Sequence, residues 1–265
     1  DAARRYGWQA IAAATSSVIA FSAVRGIGRG YVPIGDNALI ELRGRDVLTG
    51  DHPFLGTWSS ASISSGIDIN HPGPLLFNLV AGAVNLLGGG AGIALTVAAL
   101  HIAIVWLVGI VTSQVGGTTS AVAAQVITAG LVWMLGSELL FDPWQPNVLV
   151  LPFWLVICSI WAVVAGEVGT LPLAVGAGSF VMQTHLSYLF IVPILLGFAL
   201  GAALIQRRHL GPGRFADLRQ PVARSAIVAG VLWAQPMWEQ FFVGGRGNIT
   251  RIMIAGTGGG DGPTV

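Results

Sequence analysis

The residues of this chain that could carry acid–base chemistry lie in short polar segments between long apolar ones. The first such residue is Asp36, which follows a proline and a glycine at the start of a segment with helical spacing. A carboxylate there has two interpretations. It caps the N-terminus of a helix, or partial desolvation against the preceding apolar segment raises its pKa for use as a general base.

Three further polar segments contain side chains that could join the same site. His71 stands in a rigid His-Pro-Gly-Pro turn, where it could bind a phosphate or anchor the turn at a membrane surface. Asp142 and Trp144 lie in an Asp-Pro-Trp-Gln-Pro-Asn turn, which predicts either the wall of a pocket or a plain connection between helices. Gln183 and His185 end a short apolar segment, a pattern typical of polar groups that line a cavity.

The last polar segment, 233–250, again combines aromatic residues with a carboxylate, Glu239, and an arginine, Arg246. His101 differs from these residues because it stands in the middle of an apolar run, which favours a neutral, hydrogen-bonded packing role. The sequence has no phosphate-binding loop, dinucleotide fingerprint, HExxH motif or CxxC pair. It therefore predicts no metal site and gives little support to nucleotide-dependent chemistry.

The composition predicts that these segments belong to an integral membrane protein. The 265 residues are 54% hydrophobic and 9% charged, with a mean hydropathy of +0.74, whereas soluble domains carry about 25% charged residues. Such a chain has too few charges to cover a surface that faces water. We expect an all-α polytopic protein of the plasma membrane, with residues 1–265 forming one module. Its expected partners include membrane lipids but no nucleic acid.

A membrane helix needs about 20 mostly apolar residues, and the pattern predicts about seven transmembrane helices. The first is interpreted as a signal anchor, because no small-residue cleavage site follows it. Residues 25–90 then form a large exported first loop that contains interfacial helices. The predicted spans are 8–24, 92–113, 120–136, 148–166, 170–182, 188–205 and 226–238.

The apolar run 75–87 decides the topology, since its 13 residues are short for a crossing. The positive-inside rule places Arg4 and Arg5 in the cytoplasm. If 75–87 lies in the outer interface, the arginine-rich connection 206–224, which includes Arg214, also returns to the cytoplasm. We therefore predict an interfacial or re-entrant helix at 75–87, with the polar segments described above on the exported side.

Four of these motifs, in this order, resemble the GT-C superfamily of membrane glycosyltransferases that use lipid-linked sugars. They are the Gly-Asp-Asn-Ala-Leu-Ile-Glu-Leu segment at Asp36, the His-Pro-Gly-Pro turn at His71, the Asp-Pro-Trp-Gln-Pro loop at Asp142 and the Gln-Thr-His tip at Gln183. The chain is similar to protein-mannosyltransferase-like and arabinosyltransferase-like members, of the cell-envelope type in high-GC Gram-positive bacteria. The likeness extends over most of the 265 residues.

The resemblance implies a role for each residue of the site. Asp36 would be the catalytic base that deprotonates an acceptor hydroxyl, which then attacks the sugar of a polyprenyl-phosphate donor with inversion. His71, Arg43 and Arg45 would bind the donor phosphate. Many members have a second acidic residue where this chain has Asn37. The sugar or acceptor cavity would be lined by Asn37, Asp142, Trp144, Gln183, His185 and Glu239.

The expected substrates are a polyprenyl-phosphate sugar, with arabinose or mannose as the leading candidates, and an envelope glycan or lipid acceptor. The donor is already activated, so no cofactor is required. Two alternatives remain open at this point. A lipid-linked-sugar flippase or transporter predicts polar residues in the middle of spans, a pattern that only His101 fits. A non-catalytic scaffold subunit is the other, because the sequence looks like part of a longer protein.

Overall fold

The computed structural model describes residues 2–210 and 218–258, and within these ranges the chain is all-helical, with 79% helix and no strand. The all-α class expected from the composition is confirmed. The helices are α1 (Ala2–Gly28), α2 (Asp36–Asp46), α3 (Ala61–Ser65), α4 (Leu75–Leu87), α5 (Gly89–Leu139), α6 (Gln145–Val148), α7 (Val150–Val164), α8 (Leu171–Thr184), α9 (Tyr188–Leu210), α10 (Arg219–Leu232), α11 (Ala234–Phe242) and α12 (Asn248–Gly256).

Four segments of the described ranges are helical, long and apolar enough to cross a membrane. They are Gly7–Gly28, Gly89–Leu139, Gln145–Val164 and Tyr188–Gln206. By contrast, α8 and α10 have 14 residues each, which is about 21 Å at 1.5 Å per residue and shorter than a hydrocarbon core of about 30 Å. Length and composition therefore support a membrane-embedded protein, whereas the count of seven crossings stays a prediction.

Helix α5 consists of two antiparallel limbs. Its backbone leaves helical geometry at Gly116 and Gly117, and the φ of Gly117 is 64°. The chain then folds back, so that the Gln125 side chain donates a hydrogen bond to the carbonyl oxygen of Val105 at 2.6 Å. The predicted spans 92–113 and 120–136 fall one in each limb.

The predicted span 226–238 is interrupted at Trp233, between α10 and α11. Pro236 has no N–H to donate to the carbonyl of Leu232 four residues earlier, so the regular helix stops there. The side-chain amide of Gln183 donates to that free carbonyl at 2.8 Å. The prediction of one uninterrupted helix is thus corrected, and the interruption ties α8 to the α10–α11 junction.

The first and last residues of helix α4 both lie near one end of the bundle. Before it, the Gly73 N–H donates to the carbonyl oxygen of Gln183 at the end of α8, at 3.2 Å. After it, Gly90 lies directly against the backbone of Tyr31, which follows α1. The apolar face of α4 is buried against its neighbours through residues such as Phe77 and Val80. The interfacial or re-entrant placement of the run 75–87 in a membrane stays a prediction.

The arginine-rich connection begins at the opposite end of the bundle. Helix α7 starts beside the Asp142 turn and ends at Val164. The Gln206 side chain, on α9, donates to the carbonyl oxygen of Val164 at 2.9 Å. The start of the connection 206–224 is therefore separated from the Asp142 turn by the length of α7. Arg214 lies outside the described residues.

Candidate active site

Four of the predicted polar segments converge on one groove at the end of the bundle. The groove consists of two cavities, of about 360 Å³ and 350 Å³, which share Asp36 and Trp144 as lining residues. The first cavity also contains Asn37 and Asp142. The second contains both histidines of the predicted site. We call the two cavities the aspartate side and the histidine side of the groove; the residues from the prediction that line them are Asp36, Asn37, His71, Asp142, Trp144 and His185.

Asp36 is the first residue of α2 and points its carboxylate at solvent in the groove. The capping position belongs to Gly35, whose φ of 56° favours glycine, and no side chain caps this helix. The interpretation of Asp36 as the N-cap is therefore wrong. Asp36 is also exposed rather than partly desolvated, and its carboxylate accepts no hydrogen bond within the described part of the chain. Its two oxygens are thus available to a ligand.

Asp142 is the more buried carboxylate of the groove. Its Oδ2 accepts a hydrogen bond from the Asn37 side chain at 2.6 Å, and its Oδ1 accepts one from the Trp144 N–H at 2.8 Å. Burial raises the pKa of Asp142, and the two hydrogen bonds partly oppose that rise because they stabilise the ionised form. The desolvation expected at Asp36 is found here instead.

Tyr31 is a neighbour of Asn37 and Asp142 that was not among the predicted site residues. Its ring packs edge-on against Phe141 with 5.1 Å between ring centroids. Burial, followed by the negative charge of Asp142, raises the pKa of the Tyr31 phenol. The signal for Tyr31 was its place directly after the first span, which is the same place that drew attention to Asp36.

His71 and His185 form a stacked pair, with ring centroids 4.9 Å apart and ring planes 28° apart. The Nδ1 of His71 accepts a hydrogen bond from the Leu186 N–H at 3.1 Å, and the Nδ1 of His185 accepts one from the Ser187 N–H at 3.3 Å. In a neutral imidazole this assigns the proton to Nε2 in both rings.

The two histidines are held in the neutral form by their surroundings. Burial, and then the proximity of His185, lower the pKa of His71 to about 4. Burial also lowers the pKa of His185. At neutral pH the pair therefore offers Nε2–H donors without a formal charge. His71 is thus a neutral hydrogen-bond donor, and its predicted contact with a donor phosphate stays a prediction.

His101 supports the groove from below. It is fully buried, with its Nδ1 3.0 Å from the carbonyl oxygen of Leu140 and its Nε2 3.3 Å from that of Val148. These two carbonyls stand at either end of the turn that carries Asp142 and Trp144. The packing role predicted for His101 is confirmed, and its effect is to hold the base of that turn.

Four predicted site residues do not line the groove. Arg45 pairs with Glu41 at 2.8 Å and lies nine positions after Asp36, which places it on about the opposite face of α2 at 100° per residue. Arg43 lies two turns beyond Asp36 and, with Glu239, lines a separate cavity. Gln183 is fully buried and holds the Leu232 carbonyl.

Comparison with known proteins adds no assignment, since no family model, characterised protein or solved structure matches the chain. The described residues contain no group of three or more His, Cys, Asp or Glu side chains arranged to hold a metal ion. The groove itself offers one carboxylate without hydrogen bonds, one carboxylate with two, two neutral imidazoles and an indole that is 43% exposed. Such a set suits the binding of a polar organic substrate and the transfer of its proton.

Proposed function

We propose that the protein is a membrane glycosyltransferase that moves one sugar from a polyprenyl-phosphate donor to an envelope glycan or lipid acceptor. Arabinose and mannose are the leading donor sugars. The observation that carries the proposal is the groove itself, in which the unbonded carboxylate of Asp36 lies in one cavity with the neutral pair His71 and His185. A base and a set of donors for a leaving phosphate are the two groups that such a transfer requires.

In the proposed step, Asp36 takes the proton of an acceptor hydroxyl as its oxygen forms a bond to the anomeric carbon. The bond from that carbon to the phosphate oxygen breaks, and the phosphate leaves with the electron pair. His71 and His185 donate hydrogen bonds from Nε2 to the phosphate, which stabilises the charge that develops there. Attack and departure on opposite faces of the ring give inversion. The donor supplies its own activated bond, so the chemistry of this step uses only these side chains.

The aspartate side of the groove would bind the sugar. Asn37 and Asp142 form a rigid pair at 2.6 Å, and Trp144 presents a partly exposed indole between the two cavities. Carboxylate and amide groups match sugar hydroxyls, and an aromatic ring packs against the C–H face of a sugar. Transport is less well supported, because the mid-span residue that favoured it, His101, is occupied by two backbone carbonyls.

We place the groove on the exported side of the plasma membrane, with seven crossings when the two limbs of α5, α8 and α10 are counted. The placement rests on the positive-inside rule and on the position of Gln206 at the opposite end of α7 from Asp142. Single cysteines introduced by Ser60→Cys and Arg208→Cys in a Cys158→Ala background test it in intact cells. An impermeant thiol reagent is expected to label the first and not the second; the reverse pattern would overturn the placement.

Transfer itself is tested with purified protein in nanodiscs and radiolabelled polyprenyl-phosphate arabinose or mannose. Asp36→Asn is expected to lower the rate of transfer by about 10²–10⁴-fold, the usual contribution of a general base. Asp51→Asn is the matched control, since Asp51 is an exposed carboxylate of the same loop and lines neither cavity of the groove. Wild-type transfer in Asp36→Asn, or no transfer by the unmodified protein with either donor, would contradict the proposal.

A further inference from the structure

A second polar cavity lies behind one wall of the groove. The wall is an extended pair formed by residues 56–59 and 69–71, joined by hydrogen bonds from Gly56 N–H to the His71 carbonyl at 3.0 Å and from His71 N–H to the Thr57 carbonyl at 2.8 Å. His71 lines the groove. Asn70 lines the second cavity, which has a volume of about 290 Å³.

The wall is thin at Gly56, which borders the second cavity. A Cβ added to Gly56 would lie 2.8 Å from the Cβ of His71, closer than real Cβ atoms come. The two segments approach this closely only because residue 56 has no side chain. The second cavity and the histidine side are thus separated by one layer of backbone, on the order of 10 Å from face to face.

The charges of the second cavity compensate one another. Glu239, which is 7% exposed, accepts hydrogen bonds from the Asn248 N–H at 3.0 and 3.3 Å and pairs with Arg251 at 3.5 Å. Arg43 uses one nitrogen to pair with Asp46 at 3.2 Å. An added anion would therefore meet the buried carboxylate of Glu239, and an added cation would meet two guanidinium groups. This balance favours a neutral ligand.

Unused donors and an aromatic ring remain in this cavity. Arg43 makes no hydrogen bond to a described residue through its Nε or its second terminal nitrogen. Phe54 adds an aromatic ring to the lining. Sugar hydroxyls both donate and accept hydrogen bonds, and the C–H faces of sugars pack on aromatic rings. Guanidinium groups, a carboxylate, an asparagine and a phenyl ring together match that chemistry.

We propose that the second cavity binds a neutral sugar unit of the acceptor, so that the acceptor is a glycan rather than a lipid. This proposal rests on the proposed glycosyltransferase function, but the binding of a neutral oligosaccharide can be measured without transfer. An oligosaccharide of a few rings is long enough to occupy the cavity and extend round the one-layer wall towards Asp36. Arg43 would hold the chain, while Asp36 acts on its terminal hydroxyl.

Binding is tested by saturation-transfer NMR on the full chain in nanodiscs, with arabinotriose and mannotriose as probes and glucuronate and inorganic phosphate as competitors. One neutral trisaccharide is expected to bind. Arg43→Gln is expected to weaken it at least tenfold. Arg45→Gln is the matched control, because Arg45 lies on the other face of α2 and pairs with Glu41, and its binding is expected to match the unmodified protein.

Asp36→Asn separates this proposal from the one it rests on. In that variant trisaccharide binding is expected to persist while transfer is lost. Binding without transfer by the unmodified protein would contradict the glycosyltransferase function and leave the sugar site in place. Absence of binding for both trisaccharides, displacement by phosphate, or equal binding by Arg43→Gln and the unmodified protein would each overturn the sugar site.

Discussion

The two cavities on either side of the extended pair 56–59/69–71 contain carboxylates in opposite states of hydrogen bonding. Asp36 is exposed and accepts no hydrogen bond from a described residue, whereas Glu239 is buried and bonded to Asn248 and Arg251. A carboxylate whose oxygens are all engaged fixes the position of its neighbours. A carboxylate whose oxygens are free can accept a proton. Under the proposed function, this difference places proton transfer on one side of the wall and positioning on the other.

The largest effect on stability is therefore expected at Glu239. Glu239→Ala removes the acceptor of the buried Asn248 N–H and leaves Arg251 with only the exposed Asp68 carboxylate, 3.7 Å away; each such lost partner costs about 1–3 kcal/mol. Asp36→Ala removes an exposed group without hydrogen bonds and should cost less than about 1 kcal/mol. Unfolding of both variants in detergent micelles, followed by far-UV circular dichroism, measures the two costs. Equal losses would show that the contrast between the carboxylates is not energetic.

A second comparison, between neutral and charged groups, is tested by pH. The pKa of His71 is lowered from 6.5 to about 4, so between these values the unfolded chain binds a proton at His71 that the folded protein does not. The free energy of unfolding therefore falls as the pH falls from about 6.5 to about 4, by up to about 3 kcal/mol at 1.36 kcal/mol per unit. The groups that face His71 are His185, whose own lowered pKa acts in the same direction, and Asp36 across the cavity.

His71→Gln is the variant that isolates this contribution, since a glutamine oxygen can still accept the Leu186 N–H. Its unfolding free energy is expected to change less between pH 6.5 and 4 than that of the unmodified protein. Thermal unfolding across this range in nanodiscs measures both slopes. An equally steep loss in His71→Gln would place the titrating group elsewhere.

The convergence of the groove residues was predictable because each polar segment reverses the chain between apolar helices. In an up-and-down bundle such reversals alternate between two ends, so the turns that carry Asp36, Asp142 and His185 must meet. Proline and glycine in these turns mark the reversals in the sequence. The order of the helices therefore predicts at which end of the bundle these residues lie, without knowledge of any side-chain contact.

The second cavity and the role of Gln183 were not predictable in this way. Gln183 bonds to a carbonyl that Pro236 leaves free, and the sequence shows the proline but not which side chain reaches Leu232. Arg43 and Glu239 line one cavity although they stand almost 200 positions apart in the sequence. No local pattern specifies such a long-range approach.

The smallest expected effect, that of Asp142→Asn, decides which carboxylate of the groove is the base. Asp142→Ala deprives the Asn37 amide and the Trp144 N–H of their acceptor and should cost about 1–3 kcal/mol. Asp142→Asn keeps an oxygen for Trp144, and a rotated Asn37 amide can turn its Oδ1, which now has no partner, towards the new amide. That variant should lose less than about 1 kcal/mol and keep most of its transfer activity. If instead Asp142→Asn abolishes transfer while Asp36→Asn retains it, the desolvated Asp142, whose pKa burial raises, is the base and the free carboxylate of Asp36 only binds substrate.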